Sequence, residues 1–183
     1  MPRVNSPELS QAVHSSLMRV LGIDCGTEYT GYGIVELALS GQLTCVAVGA
    51  VKLSPRDPMA ARLSKVFQSL CDLIACHHPD NVAIEDVFYA VNVKSALKLG
   101  QVRGVAMLAA ATAGLPVMEY APLSIKSAVV GYGRAEKHQV QHMVTQLLKL
   151  PEIPEPADAA DALAIAICHL HTAATLERQR AAL

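Results

Sequence analysis

One apolar stretch near the start of the chain, 19–27, does most to limit what this sequence can fold into. Its residues, RVLGIDCGT, are typical of a buried strand that ends at Asp24, with Gly22 and Gly26 on either side. A carboxylate at the end of a buried strand costs several kcal/mol unless a cation lies against it, and glycines leave room for a metal ion or phosphate to approach. Two interpretations follow: a ligand of a cation, or an aspartate that caps a tight turn.

Hydrophobic periodicity predicts a three-stranded meander followed by β-α-β units, in the order β-β-β-α-β-α-β-α-α with a short additional helix at 123–130. The predicted strands are 19–27, 31–37, 42–53, 81–88 and 116–120, and the longer helices are 59–77, 94–113, 136–150 and 157–173. A meander joined to β-α-β units gives an α/β fold, here a five-stranded mixed sheet with helices on both faces.

Length and composition indicate one globular domain, because 183 residues with 52% hydrophobic and 17% charged side chains can bury a sizeable core. We expect this domain at 18–173, after a disordered extension at 1–17 and before a C-terminal tail at 174–183. The five cysteines have neither metal-site nor redox spacing, and no signal sequence or membrane span is present. These features predict a cytoplasmic protein without a membrane partner.

The charge distribution is uneven although the net charge is only −1. The segment 92–149 holds seven Lys and Arg residues against two acidic ones, whereas both flanking segments are acidic. A basic middle between acidic ends is expected of a phosphate-binding face beside a carboxylate site. The alternative is a solvated helix face of no special function.

Further carboxylates are predicted to reach Asp24. Glu85 ends the strand 81–88, and adjacent strand residues point to opposite faces, so Asp86 cannot share its site. If this strand is parallel to 19–27, both carboxylates lie at the same edge of the sheet. Asp158 and Asp161 are three residues apart on one helix face, in a segment whose alanines permit close approach to a sheet. The alternatives are a surface position for Glu85 and a helix cap for Asp158.

Four carboxylates form the oxygen-rich ligand set that Mg²⁺ prefers. Two such ions about 4 Å apart can stabilise the attacking and leaving oxygens of a phosphodiester displacement. The sequence contains no Ser-His-Asp pattern, no phosphate-binding Gly-Lys-Ser/Thr loop and no dinucleotide fingerprint. It therefore predicts metal-dependent phosphoryl transfer on a mixed α/β sheet.

Five segments together resemble the RuvC family of bacterial Holliday-junction resolvases: GIDCGTEYTGYG, AIEDVF, SALKLGQVRGVAMLAA, VVGYGRAEKHQVQHMV and ADAADALAIAICH. They span about residues 18–171 in the family's order and spacing. The resemblance implies an RNase H-like fold and a homodimeric endodeoxyribonuclease that nicks two strands of a four-way DNA junction symmetrically, in recombination and repair. It also implies two Mg²⁺ ions per active site, with Mn²⁺ as a substitute, 5′-phosphate and 3′-hydroxyl products, and the RuvA–RuvB branch-migration complex as a partner.

The resemblance also assigns roles to individual residues. Its catalytic and metal-binding acids are Asp24, Glu85, Asp158 and Asp161. Its DNA contacts are Phe88, which would stack on a base at the junction, and Lys126 and Lys137, which would lie near the scissile phosphate; Lys94, Lys98 and Arg103 are further candidate phosphate contacts. The family dimerises partly through the region 94–113, where Leu97, Val102 and Leu108 suit either a partner or the core.

Three alternative functions remain at this point. GIDCGT also resembles the phosphate-binding hairpin of actin-like and sugar-kinase-like ATPases, although those proteins need two such domains and a second glycine-rich loop. A second alternative is a junction-binding scaffold that does not cut. The third is an RNase H-like nuclease of another specificity, for instance one that processes RNA precursors.

Overall fold

A computed structural model describes residues 18–86 and 93–181 of the chain, with side chains up to residue 175. Within these residues the strands are β1 (Met18–Asp24), β2 (Tyr29–Leu37), β3 (Leu43–Lys52), β4 (Asn81–Glu85) and β5 (Val117–Tyr120). The helices are α1 (Met59–His77), α2 (Val93–Thr112), α3 (Pro122–Val130), α4 (Lys137–Leu147) and α5 (Ala157–Ala181). None of the described helices is long and apolar enough to cross a membrane.

The strands form one mixed sheet in the order β3-β2-β1-β4-β5. The meander pairs antiparallel, β1 with β2 and β2 with β3, whereas β1–β4 and β4–β5 are parallel. The last pair in the β1–β4 register is Ile23 with Ile84, so Asp24 and Glu85 follow directly on neighbouring strands. The five-stranded mixed sheet and the parallel orientation of β1 and β4 are thus confirmed.

Each face of the sheet has its own hydrophobic core, because strand side chains alternate between the two faces. On one face, Val20 and Ala83 pack in a core with α3, α4 and α5. On the other, Leu21 and Ile23 pack in a core with α1 and α2. The predicted helices on both faces are therefore present, and the parity of each strand residue decides which core it joins.

Helix α5 lies against the sheet at backbone contact distance, and every residue from 159 to 170 except Asp161 is buried. A Cβ at Gly22 on β1 would lie 2.1 Å from the carbonyl oxygen of Ala162, and one at Gly31 on β2 would lie 2.0 Å from that of Asp158. Only glycine leaves room for the helix at these two positions. The glycines therefore fix how closely the first turns of α5 approach the end of β1.

Several predicted boundaries differ from the structure. β1 ends at Asp24 and not at residue 27, because the chain turns at once into β2, where Gly31 pairs with Asp24. β4 ends at Glu85. The last two residues of the predicted strand, 87 and 88, lie outside the described residues. The predicted extension 1–17 lies outside them as well. Helix α5 continues to Ala181, beyond the predicted end at residue 173, because its last turns contain neither Gly nor Pro.

Candidate active site

Asp24 and Glu85 lie side by side at the carboxyl ends of two parallel strands. Asp24 has the parity of Val20 and Gly22 on β1, which places its side chain on the face covered by α5. Glu85 has the parity of Ala83 on β4 and therefore shares that face. The neighbouring Asp86 points away, towards α2, as the alternation of strand residues predicts.

The other two acids arrive on α5. The backbone of Asp158 packs on Gly31, the pairing partner of Asp24, and its Oδ1 lies 3.3 Å from the position of a Cβ at Gly26. Asp161, one turn later, lines a cavity together with Glu85. The structure thus brings all four carboxylates to the carboxyl ends of β1 and β4.

Burial and the neighbouring negative charges oppose the ionisation of Asp24 and Glu85. The pKa of Asp24 is raised from 3.8 to about 7, first by burial and then by the negative charges of Asp161, Glu85 and Asp158. Burial and the charge of Asp161 also raise the pKa of Glu85, whereas Lys126 and Lys137 oppose that shift. Such shifts mark a site that gains free energy when a cation arrives.

Two lysines border the acids. Lys137 begins α4, and its Nζ lies 2.6 Å from Oδ2 of Asp161, a hydrogen bond that raises the pKa of the lysine. Lys126 lies on α3 and lines a cavity of about 190 Å³. The cavity is bordered by Glu85, Pro122, Ile125, Lys126, Lys137, Val140, Asp161, Ala164 and Ile165. A phosphate group in this cavity would meet two lysines as well as two carboxylates.

The donor chemistry of the cluster fits a hard divalent cation, because every candidate ligand atom is a carboxylate oxygen. Among the described residues, no three His, Cys, Asp or Glu side chains are spaced as the ligands of a single metal ion. Asp161 is paired with Lys137 instead, so a cation that took Asp161 as a ligand would have to compete with this ion pair. Cation binding would then be coupled to loss of the proton that the raised pKa of Asp24 favours.

The remaining predicted DNA contacts have different placements. Lys94 and Lys98 lie in the first two turns of α2, with exposed side chains. Phe88 falls in 87–92, outside the described residues. For these three residues, the role that the sequence analysis assigns stays a prediction.

Arg103 on α2 makes several contacts within the protein, and its predicted phosphate contact stays a prediction. Its guanidinium forms ion pairs with Asp86, at 3.2 Å, and with Glu119 on β5. Its Nε also donates to the carbonyl oxygen of Glu85, at 3.3 Å, and only 18% of the side chain is exposed. These contacts within the protein hold the end of β4, so Arg103 helps to position Glu85.

Sequence reasoning missed a half-buried polar pair next to the strand of Glu85. The hydroxyl of Tyr120 on β5 lies 2.8 Å from Nδ1 of His169 on α5, and His169 is 6% exposed. Tyr120 pairs with Glu85 in the β4–β5 register. The pair ties β5 to α5, but its members are 49 residues apart in sequence, so no local pattern could have shown it.

Comparison with known proteins assigns this arrangement to a family. The family model described as "Crossover junction endodeoxyribonuclease RuvC" matches residues 20–169. The chain belongs to the RuvC family. A RuvC relative from Koribacter versatilis is 68% identical over 164 residues, which cover 90% of this chain and 99% of that protein.

Solved RuvC structures also resemble this one. The Thermus thermophilus RuvC structure superposes with a TM-score of 0.80 at 35% identity, covering 86% of this chain and 96% of that one. A second structure, T. thermophilus RuvC in complex with Holliday junction substrate, has a TM-score of 0.80 at 32% identity and the same coverage. The predicted family, the RNase H-like fold class and the enzyme class are confirmed, and the ATPase alternative is not supported.

Proposed function

We propose that this chain resolves four-way DNA junctions by paired, symmetric nicks, in recombination and repair. The observation that carries the proposal is the meeting of four carboxylates beside two lysines at the end of β1 and β4. The same chain is 68% identical to a crossover junction endodeoxyribonuclease over nearly its full length. Its structure also superposes on a RuvC protein that binds a Holliday junction.

We propose that Asp24, Glu85, Asp158 and Asp161 hold two Mg²⁺ ions, which Mn²⁺ can replace. When bound, the metal supplies Lewis-acid stabilisation and lowers the pKa of water. Asp24 feels the charges of all three other acids, so it would be a ligand placed at the centre of the set. Its side chain must be ionised to bind a cation, which the nearby positive charge of Lys137 favours.

The reaction we propose is hydrolysis of one phosphodiester bond in each of two strands. A water oxygen forms a new bond to phosphorus and loses a proton, while the bond from phosphorus to the 3′-oxygen breaks and that oxygen gains a proton. The products are a 5′-phosphate and a 3′-hydroxyl. Lys126 and Lys137, which border the cavity beside the acids, neutralise the charge that develops on the phosphate oxygens.

A cleavage assay on three labelled substrates tests this function. We expect Mg²⁺-dependent nicks at symmetric positions in two opposed strands of a four-way junction, and none after chelation of the metal. A linear duplex of the same sequence and a structured RNA serve as controls and are expected to stay intact. Binding of the junction without nicks would favour a junction-binding scaffold that does not cut. Preferential cleavage of RNA would favour an RNase H-like nuclease of another specificity.

We also propose that the chain forms a homodimer through α2, whose outward face is unusually apolar. Leu97 and Leu108 are 65% and 57% exposed, whereas Val102 is 1% exposed and belongs to the core. On the same side, a Cβ at Gly100 or Gly104 would have nothing within 4 Å. A mid-helix glycine costs roughly 1 kcal/mol relative to alanine, and no contact within the described chain requires it. A closely packed second copy of α2 accounts for both features.

The dimer proposal is tested by placing two charges on this face. We expect Leu97→Lys with Leu108→Lys to raise the dimer dissociation constant about a hundredfold or more, because four lysines would meet in an apolar interface. Sedimentation velocity measures the change, and circular dichroism should show the fold intact. Leu39→Lys is the control, since Leu39 is 82% exposed in the β2–β3 turn. A double variant that remains dimeric at low concentration would contradict the proposed interface.

A RuvA–RuvB branch-migration complex is the partner that we propose from family membership. No contact in the structure bears on it. A pull-down of purified RuvA–RuvB on junction DNA, with and without this chain, would detect the joint complex. Recovery of this chain on the junction that is unchanged or lowered by RuvA–RuvB would contradict the proposal.

A further inference from the structure

The loop between α3 and α4, which connects the helices that carry Lys126 and Lys137, bears an exposed aromatic ring. Tyr132 is 47% exposed and is the one aromatic among the large hydrophobic side chains that are exposed in the described part of the chain. Leu123, in the first turn of α3, is 62% exposed. Gly133, next to Tyr132, packs against Leu123, since a Cβ there would lie 3.1 Å from the Leu123 carbonyl oxygen. The loop and the start of α3 thus present an apolar surface together.

The ring is held in place through its hydroxyl. Tyr132 donates to Oε1 of Gln139 on α4, at 2.7 Å, and the same oxygen accepts the backbone N–H of Glu136, at 2.9 Å. Gln139 and Glu136 form the capping box that begins α4. The tyrosine is therefore anchored by its polar end to the start of a helix, which orients its ring at no cost in core packing.

The surroundings of the loop are cationic. Lys126 on the helix before it and Lys137 on the helix after it both line the cavity with Glu85 and Asp161. Arg134, within the loop, is exposed and has no ion-pair partner in the described chain. An exposed ring that is hydrogen-bonded to the start of α4, where Lys137 lies, has with the exposed Arg134 the composition of a surface that binds single-stranded or unstacked nucleotides.

We propose that Tyr132 stacks on a base or deoxyribose next to the cleaved phosphate, and that Arg134 binds a neighbouring phosphate of the same strand. The inference rests on the proposed junction-cleaving function and adds a recognition element to it. Bases at the exchange point of a junction can leave the stack, and every base offers a flat face to an aromatic ring. The loop would hold the strand in register while Lys126 and Lys137 contact the phosphate to be cut.

Equilibrium binding of a fluorescent four-way junction tests the stacking contact. The measurements use Asp24→Asn as the parent, so that the substrate stays uncut. We expect Tyr132→Ala to weaken binding about tenfold and Tyr132→Phe, which keeps the ring, to weaken it less than about threefold. A 2-aminopurine beside the cleavage site should be quenched by the parent and by Tyr132→Phe but not by Tyr132→Ala. Leu39→Ala is the matched control, an exposed apolar side chain in the β2–β3 turn.

Salt dependence separates the two residues. We expect Arg134→Ala to lower the slope of log Kd against log salt concentration by about 1, because one phosphate contact is lost, and Tyr132→Ala to leave the slope unchanged. Equal binding and quenching by the parent and Tyr132→Ala would overturn the inference and leave the proposed function standing. Tyr132→Phe as weak as Tyr132→Ala would also overturn it, since the hydroxyl and not the ring would then matter. A parent that fails to bind the junction would overturn the proposed function and the inference with it.

Discussion

Asp24→Asn is expected to lower junction cleavage about a thousandfold or more while changing the affinity for the junction less than about threefold. The substitution keeps the size of the side chain but removes a charge on which Asp161, Glu85 and Asp158 all act. Metal-dependent charge stabilisation is worth several kcal/mol in such reactions. Single-turnover cleavage and gel-shift binding on one labelled junction measure both quantities. Cleavage at the wild-type rate in millimolar Mg²⁺ would contradict the assignment of Asp24.

Although it should lose cleavage activity, the same variant is expected to be more stable than the wild type at neutral pH. The pKa of Asp24 is about 7 in the folded protein against 3.8 as the ordinary value, so its charged form opposes folding. This destabilisation is absent below about pH 4, grows as the pH rises towards 7 and is complete above it, reaching as much as about 4 kcal/mol. Asparagine carries no such charge.

In metal-free buffer we therefore expect Asp24→Asn to unfold at higher urea concentration than the wild type at pH 8, and at a similar concentration at pH 4. Asp57→Asn is the control, because Asp57 is an exposed acid in the turn before α1. Added Mg²⁺ should narrow the difference at pH 8 by stabilising the wild type. A variant that is less stable than the wild type at pH 8 would show that favourable contacts of the Asp24 carboxylate outweigh its repulsion by the neighbouring acids.

Lys137→Met should lower cleavage about a hundredfold or more, the usual loss when a group that stabilises developing charge is removed. Lys137→Arg, which keeps the charge, should retain part of the activity. Because Lys137 lowers the pKa of Asp24, its loss should also move the pH midpoint of cleavage upwards, which a merely structural role would not do. Lys52→Met, on β3 and away from the acids, is the matched control. An unchanged pH profile with low activity would mean that Lys137 acts on the fold instead.

Much of the fold could be predicted because its signals are local. Breaks at proline and glycine separated the elements, and the alternation of strand residues assigned Glu85 and Asp86 to opposite faces before any coordinates were known. The convergence of Asp24 with Glu85 needed one further assumption, that β1 and β4 are parallel. The pairing of β1 with β4 in the structure confirms that assumption.

Contacts between distant elements could not be predicted. Leu97, Val102 and Leu108 all fit one helical pattern, and only the packing of α2 on α1 and the sheet separates the buried valine from the exposed leucines. Nothing in the sequence indicated that Arg103 is paired, because its partner Glu119 lies 16 residues away, on β5. The exposure of Tyr132 was likewise unpredictable, since a tyrosine between two glycines suits a core position equally well.

The docking of α5 on the glycines of β1 and β2 has a consequence for when this enzyme becomes able to cut DNA. Asp24 is made at the start of translation, but Asp158 and Asp161 emerge from the ribosome only after most of the domain. A nascent or truncated copy that stops before Pro156 carries two of the four proposed acids, and we expect it to lack cleavage activity. On the proposed assignment, nuclease activity therefore depends on the packing of the last helix against the first strand.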